Sequence, residues 1–180
     1  PNRGIPELIQ AICRKLSRDN GIRATPEQIL VSSGAKQSIF NAVQAVCNPG
    51  DEVLIPSPFW VSYPEIVKLA DGRPVFVPLS FTDGFALDAQ KVKEAITRRT
   101  KAIVVNSPCN PTGAVFSYHA LEQCAEAVRG KGIYVISDEI YEKVIYDGKQ
   151  HVSMGAFEGM QDQVITVNGV SKAYAMAGWR

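Results

Sequence analysis

The chain has 180 residues, 46% hydrophobic and 21% charged, with a formal net charge of +1. That is the composition of an ordinary globular domain long enough to bury a core. The near-neutral balance argues neither for a nucleic-acid surface nor for an anionic membrane, and neither partner is expected; no apolar run approaches the ~20 residues a membrane span needs.

Residues 6–19 read as an amphipathic helix with Leu8, Ile9, Ile12 and Leu16 on one face. Residues 29–31 read as a short strand feeding Ser32-Ser33-Gly34, and a helix is expected over 35–47, stopped by Asn48-Pro49-Gly50. A strand at 53–55, a helix at 63–69 and a strand at 74–78 follow. Asp88 is placed as the N-cap of a helix running to about residue 97. The apolar runs 102–105 and 133–136 read as strands, with a helix over 118–129 between them, and Val164–Val167 as the last strand. Short apolar strands separated by helices predict an α/β fold, three-layer α/β/α, with a mainly parallel sheet covered on both faces. In such sheets ligands bind outside the carboxyl ends of the strands.

The unusual polar residues fall at those ends. Ser33-Gly34-Ala35-Lys36 opens a helix, where small residues let the backbone approach a phosphate and the helix N-terminus offers free N–H groups. Asn106-Ser107-Pro108-Cys109-Asn110-Pro111-Thr112-Gly113 builds a stiff loop that could aim an Asn amide, although a plain turn has the same composition. In Ser137-Asp138-Glu139-Ile140-Tyr141, Asp138 could be a helix cap. Alternatively, three residues along a helical turn put Asp138 and Tyr141 on one side, facing one ligand. Asn168-Gly169-Val170-Ser171-Lys172 sets a lysine among small neighbours, and Arg180, eight residues on, is a natural partner for a phosphate.

Five ordered motifs, Ser33-Gly34-Ala35-Lys36-Gln37, Ser57-Pro58-Phe59-Trp60-Val61-Ser62-Tyr63, Asn110-Pro111-Thr112-Gly113, Ser137 to Tyr141 and Ser171 to Arg180, carry a resemblance from end to end. The chain resembles the fold-type I, class I aminotransferases, and within them the prokaryote-type aspartate aminotransferases, including plastid enzymes that also transaminate prephenate. The resemblance implies pyridoxal 5′-phosphate as cofactor and amino-acid and 2-oxo-acid substrates. It assigns Lys172 the Schiff base with the cofactor, Asp138 the pyridinium nitrogen, and Tyr141 with Asn110 the ring oxygen. Trp60 would stack on the ring, and Gly34, Ala35, Lys36 and Arg180 would surround the phosphate. Many relatives carry Ser three residues before that lysine as a phosphate ligand; here Gly169 stands there, and Ser171 is the candidate substitute.

The resemblance also implies cis bonds at Ser57-Pro58 and Asn110-Pro111 and a homodimer at full length. Residues 1–180 are then expected to be part of a cofactor-binding large domain, truncated at both ends, without the small domain and inactive alone. A C–S lyase, a decarboxylase, an aminocyclopropane-carboxylate synthase or the ligand-binding domain of a transcription regulator would share the same cradle. The cysteines (Cys13, Cys47, Cys109 and Cys124) show no CxxC pair and no zinc-type spacing with His119 and His151. Reduced thiols in the cytoplasm are expected, or in the plastid stroma for a plant or algal protein.

Overall fold

Five strands, β1 (Glu52–Ser57), β2 (Arg73–Pro78), β3 (Thr100–Asn106), β4 (Tyr134–Asp138) and β5 (Val164–Val167), form one sheet in the order β2-β1-β3-β4-β5 in a computed structural model. The structure describes residues 2–179. All four neighbouring pairs are parallel, as the βα alternation predicts. The helices are α1 (Pro6–Lys15), α2 (Ala35–Val46), α3 (Ser62–Lys68), α4 (Ala89–Ala95), α5 (Tyr118–Val128) and the short α6 (Val170–Ala173).

Successive side chains of a strand point to opposite faces, and the two cores separate on that rule. Leu54, Ile103, Val105 and Val135 face one way and bury Val92 of α4 with Leu121 and Val128 of α5. Val53, Ile55, Val104 and Ile136 face the other way against Ile39 and Val43 of α2 and Ile66 and Val67 of α3. Asp88 caps α4 as expected, and Ser117, for which the sequence gives no cap reading, caps α5. Asp88 Oδ1 accepts from the N–H groups of Gln90 and Lys91, and Ser117 Oγ accepts from that of Ala120.

The chain leaves β1 through α3 to β2 on one side, then returns through α4 to β3 on the other. The crevice between the ends of β1 and β3 is therefore a switch point of the topology. Register aligns the strand ends: Asn106 sits opposite Asp138, and Asp138 opposite Val167.

Three local expectations change. Residues 29–31 form no strand: the Val31 N–H bonds the Arg3 carbonyl at 3.0 Å, while Ile29 packs with Ile9 and Leu16 in a separate small cluster. None of the described strands pairs with this triplet, so it has no ladder to join among the described residues. The first helix widens into a π-turn over Leu16–Asn20 before Gly21 closes it at φ 68°, and this turns Asn20 inward. No helix follows Asp138; residues 140–143 are turns. Ser57-Pro58 and Asn110-Pro111 are cis, as expected, and so is Ser107-Pro108, for which no expectation was formed.

Candidate active site

Asp138 closes β4 and has the same parity as Ile136, so its carboxylate turns toward the α2–α3 face. It is 3% exposed. Its Oδ2 accepts a 2.6 Å hydrogen bond from the Tyr63 hydroxyl and its Oδ1 a 3.2 Å bond from the Ile140 N–H. Burial pushes the Asp138 carboxyl above its ordinary range, against the pull of these two donors. Burial and the neighbouring Asp138 push the Tyr63 phenol well above its usual value, so it stays a neutral donor. Among the described residues no cation forms an ion pair with Asp138.

The sequence motif Ser57–Tyr63 contains Tyr63 without indicating this role. The available signal was its spacing: it lies three residues after Trp60, and the two rings meet edge to face at 5.4 Å. Tyr63→Phe in the whole protein is expected to raise the protonation midpoint of Asp138 in the cofactor-free state, read by carboxyl-carbon NMR. The same change should cost about 1.5–3 kcal/mol of stability at neutral pH, the usual worth of a hydrogen bond to a charged group. An unchanged or lowered midpoint would show that the phenol does not hold this carboxylate.

The loop after β3 brings Asn110 to the same place. Asn106, opposite Asp138, donates through Nδ2 to the Asp138 carbonyl at 3.0 Å, and its Oδ1 accepts the Asn110 N–H at 2.7 Å. Asn110 Nδ2 then lies 3.5 Å from the Tyr141 hydroxyl oxygen. Asp138 and Tyr141 thus reach one region through a turn, where a helical turn was expected.

Gly34 precedes the 12-residue α2 with φ 89°, a value that favours glycine, and among the described residues no side chain caps that helix. Its first turn, with Ala35 and Lys36, leaves backbone N–H groups without a helical partner, an arrangement that favours an anion. The Lys36 ammonium lies 5.0 Å above the Trp60 ring centre, a cation–π contact. Ser171 and Lys172 ride on α6 directly after β5, Ser171 half-buried and Lys172 exposed. Neither is hydrogen-bonded through its side chain to the groups above. Arg180 lies outside the described residues.

The family model for aminotransferase class I and II matches residues 1–180. The chain belongs to the class I and II aminotransferases. The bifunctional aspartate aminotransferase and glutamate/aspartate-prephenate aminotransferase of Petunia hybrida is 53% identical over 181 residues, which cover 100% of this chain and 38% of that protein. A probable aspartate/prephenate aminotransferase of Thermus aquaticus is 50% identical over 180 residues, 100% of this chain and 46% of that one. The solved aspartate aminotransferase of Thermus thermophilus with maleate superposes with a TM-score of 0.96 at 49% identity, over 100% of this chain and 46% of that one. The chain thus spans less than half the length of these relatives.

The departure at Gly169 has a local cause. Its φ of 175° suits any residue, but an added Cβ would come 2.8 Å from Ile140 Cδ1. Glycine lets the Ile140 side chain lie against the loop that leads to Lys172; a serine there would require Ile140 to swing aside.

Proposed function

We propose that the whole protein is a pyridoxal-phosphate-dependent aminotransferase that exchanges the amino group of an L-amino acid with a 2-oxo acid by a ping-pong route. One observation carries this reading: a buried carboxylate, Asp138, at the carboxyl end of the sheet, fixed by two donors and lacking a cation among the described residues. A protonated pyridine nitrogen is the partner that such a group fits, because an opposite charge offsets the burial that now raises its pKa.

The other residues suit the same group. The uncapped start of α2, with Gly34, Ala35 and Lys36, would take the phosphate, with Arg180 and Ser171 as further partners. Asn110 and Tyr141 would bond the ring oxygen, and Trp60 would give the ring a flat wall. Lys172 would hold the cofactor aldehyde through Nζ and, once freed, take the Cα proton as general base. The bound cofactor supplies the electron sink for that proton loss. The chain would form much of the cofactor-binding domain.

The names of the relatives support aspartate or glutamate as donor and prephenate as a further acceptor. A lyase or decarboxylase outcome is not favoured by them. Four free cysteines, one buried and three half-buried, support a reducing compartment such as the cytoplasm, or the plastid stroma in a plant or alga. The homodimer rests on the resemblance alone.

The test is a half-reaction. Whole protein loaded with pyridoxal phosphate should convert about one equivalent of aspartate to oxo acid without an acceptor, then transfer the amine to 2-oxoglutarate or prephenate. Release of carbon dioxide or free ammonia in place of amine exchange would contradict the reading.

A further inference from the structure

A second polar cluster lies behind Asp138, on the opposite face of β4. Glu139, Glu142, Ser153 and Asn20 are 1%, 4%, 4% and 7% exposed. Alternation places them there: Asp138 faces α2 and α3, while Ser137 and Glu139 face the other way. Glu139 accepts from Ser137 Oγ at 2.9 Å and from Ser153 Oγ at 2.6 Å, and its Oε2 lies 2.9 Å from His151 Nε2. Glu142 Oε2 accepts from Asn20 Nδ2 and from Asn168 Nδ2, both at 2.8 Å. Its other oxygen pairs with the Lys15 ammonium, which also donates to Asn20 Oδ1 at 2.8 Å.

Glu139, Glu142 and His151 are close enough to share a metal ion. The hydrogen-bond pattern argues otherwise: donors from Asn20, Ser137, Ser153 and Asn168 already occupy these oxygens, and Lys15 brings the positive charge. Burial pushes Glu142 up, yet Lys15, Asn20 and Asn168 outweigh it and hold this carboxyl below its ordinary range.

What the cluster joins gives it a use. The turn after Asp138 carries Tyr141; the loop after β5 leads into α6, which carries Lys172. The Glu139 N–H donates to the Val167 carbonyl at 2.8 Å, and Glu142 grips Asn168 in the next position. Asn168 Oδ1 in turn accepts the Gly169 N–H at 2.8 Å, which orders the step onto α6. The far side of the grip is the π-turn at the end of α1, whose extra residue turns Asn20 into the cluster.

We propose that Glu142, acting through Asn20 and Asn168, is a positioning residue that sets Lys172 against Asp138 and makes α1 part of the active-site scaffold. This rests on Lys172 being the cofactor-attachment lysine.

The experiment uses the whole protein loaded with pyridoxal phosphate. Asn168→Ala should keep the cofactor at Lys172 yet lose about 10- to 100-fold in kcat with KM little changed, the scale of a ~1 Å misplacement. The pH midpoint of the cofactor's visible absorbance should move by at least ~0.5 unit, because the charges facing it change distance. Glu142→Ala should do the same, and Glu142→Gln, which keeps an acceptor for Asn20 and Asn168, should recover most of kcat. Gln163→Ala removes bonds to the Val128 and Ile133 carbonyls beside the start of β4; it should lower thermal stability and leave the midpoint in place. Asn168→Ala with wild-type kcat and midpoint overturns the proposal, and it decides the matter alone if Glu142→Ala does not accumulate. Borohydride labelling of wild type separates the two claims: a label on another lysine overturns both, whereas a label on Lys172 with a wild-type-like Asn168→Ala overturns only the positioning role.

Discussion

Asp138→Asn in the whole protein is expected to slow removal of the substrate Cα proton by at least ~10³-fold, about 4 kcal/mol of barrier. The change is nearly isosteric. Asn Oδ1 can keep the Ile140 N–H, and Nδ2 can donate to the Tyr63 hydroxyl oxygen, so both contacts of the site have replacements. What disappears is a negative charge in a buried place, and with it the reason for a bound ring nitrogen to stay protonated.

Stability should move the other way. Because burial raises the folded-state pKa of Asp138, its contribution to stability is fully present below the unfolded carboxyl pKa and is lost as pH rises through the folded value. At neutral pH the cofactor-free protein therefore holds this charge at a cost. Asp138→Asn should leave its melting temperature equal or higher there, with the advantage vanishing in acid. Single-turnover kinetics with an α-deuterated amino acid, beside thermal unfolding of the cofactor-free form, separates the readings. A near-native rate would leave Asp138 as a local backbone acceptor for Ile140.

Lys172→Ala should abolish covalent cofactor attachment and lower turnover by at least ~10⁴-fold, the upper range for loss of a general base. Folding should barely notice. Lys172 is exposed on a four-residue helical turn and its side chain makes no hydrogen bond among the described residues, so the stability change is expected within about 0.5 kcal/mol. Turnover and melting temperature measured on the same preparation make that contrast visible. A comparable drop in both would mean that the lysine supports the fold and not the chemistry.

The strands at the centre of the sheet were legible because 102–105 and 133–136 are apolar on both faces, the pattern of a covered parallel sheet. Their polar ends were less so. Asn106 and Asp138 continue the ladder as an opposed pair, a register visible only once the strands are aligned. Residues 29–31 have the side chains of a strand, but a strand exists only with a partner, and none of the described strands pairs with them. Tyr63 looked like a helix-start aromatic; the carboxylate it serves lies 75 residues on. The cluster around Glu142 was invisible for the same reason. Asn20 reaches Glu142 across 122 residues and through a π-turn that breaks the helical period on which pattern reading depends. The motifs that could be read were those whose chemistry is local: a Gly opening a helix, Pro-stiffened loops, a lysine among small residues.

Chemical trapping tests the proposed attachment of the cofactor to Lys172. Whole protein incubated with pyridoxal phosphate, reduced with borohydride, digested and mapped by mass spectrometry should carry a stable phosphopyridoxyl group on one lysine. That lysine is expected to be Lys172, in the peptide that contains Asn168-Gly169-Val170-Ser171. A phosphopyridoxyl label on Lys36 or any other lysine, with Lys172 unmodified, would contradict it.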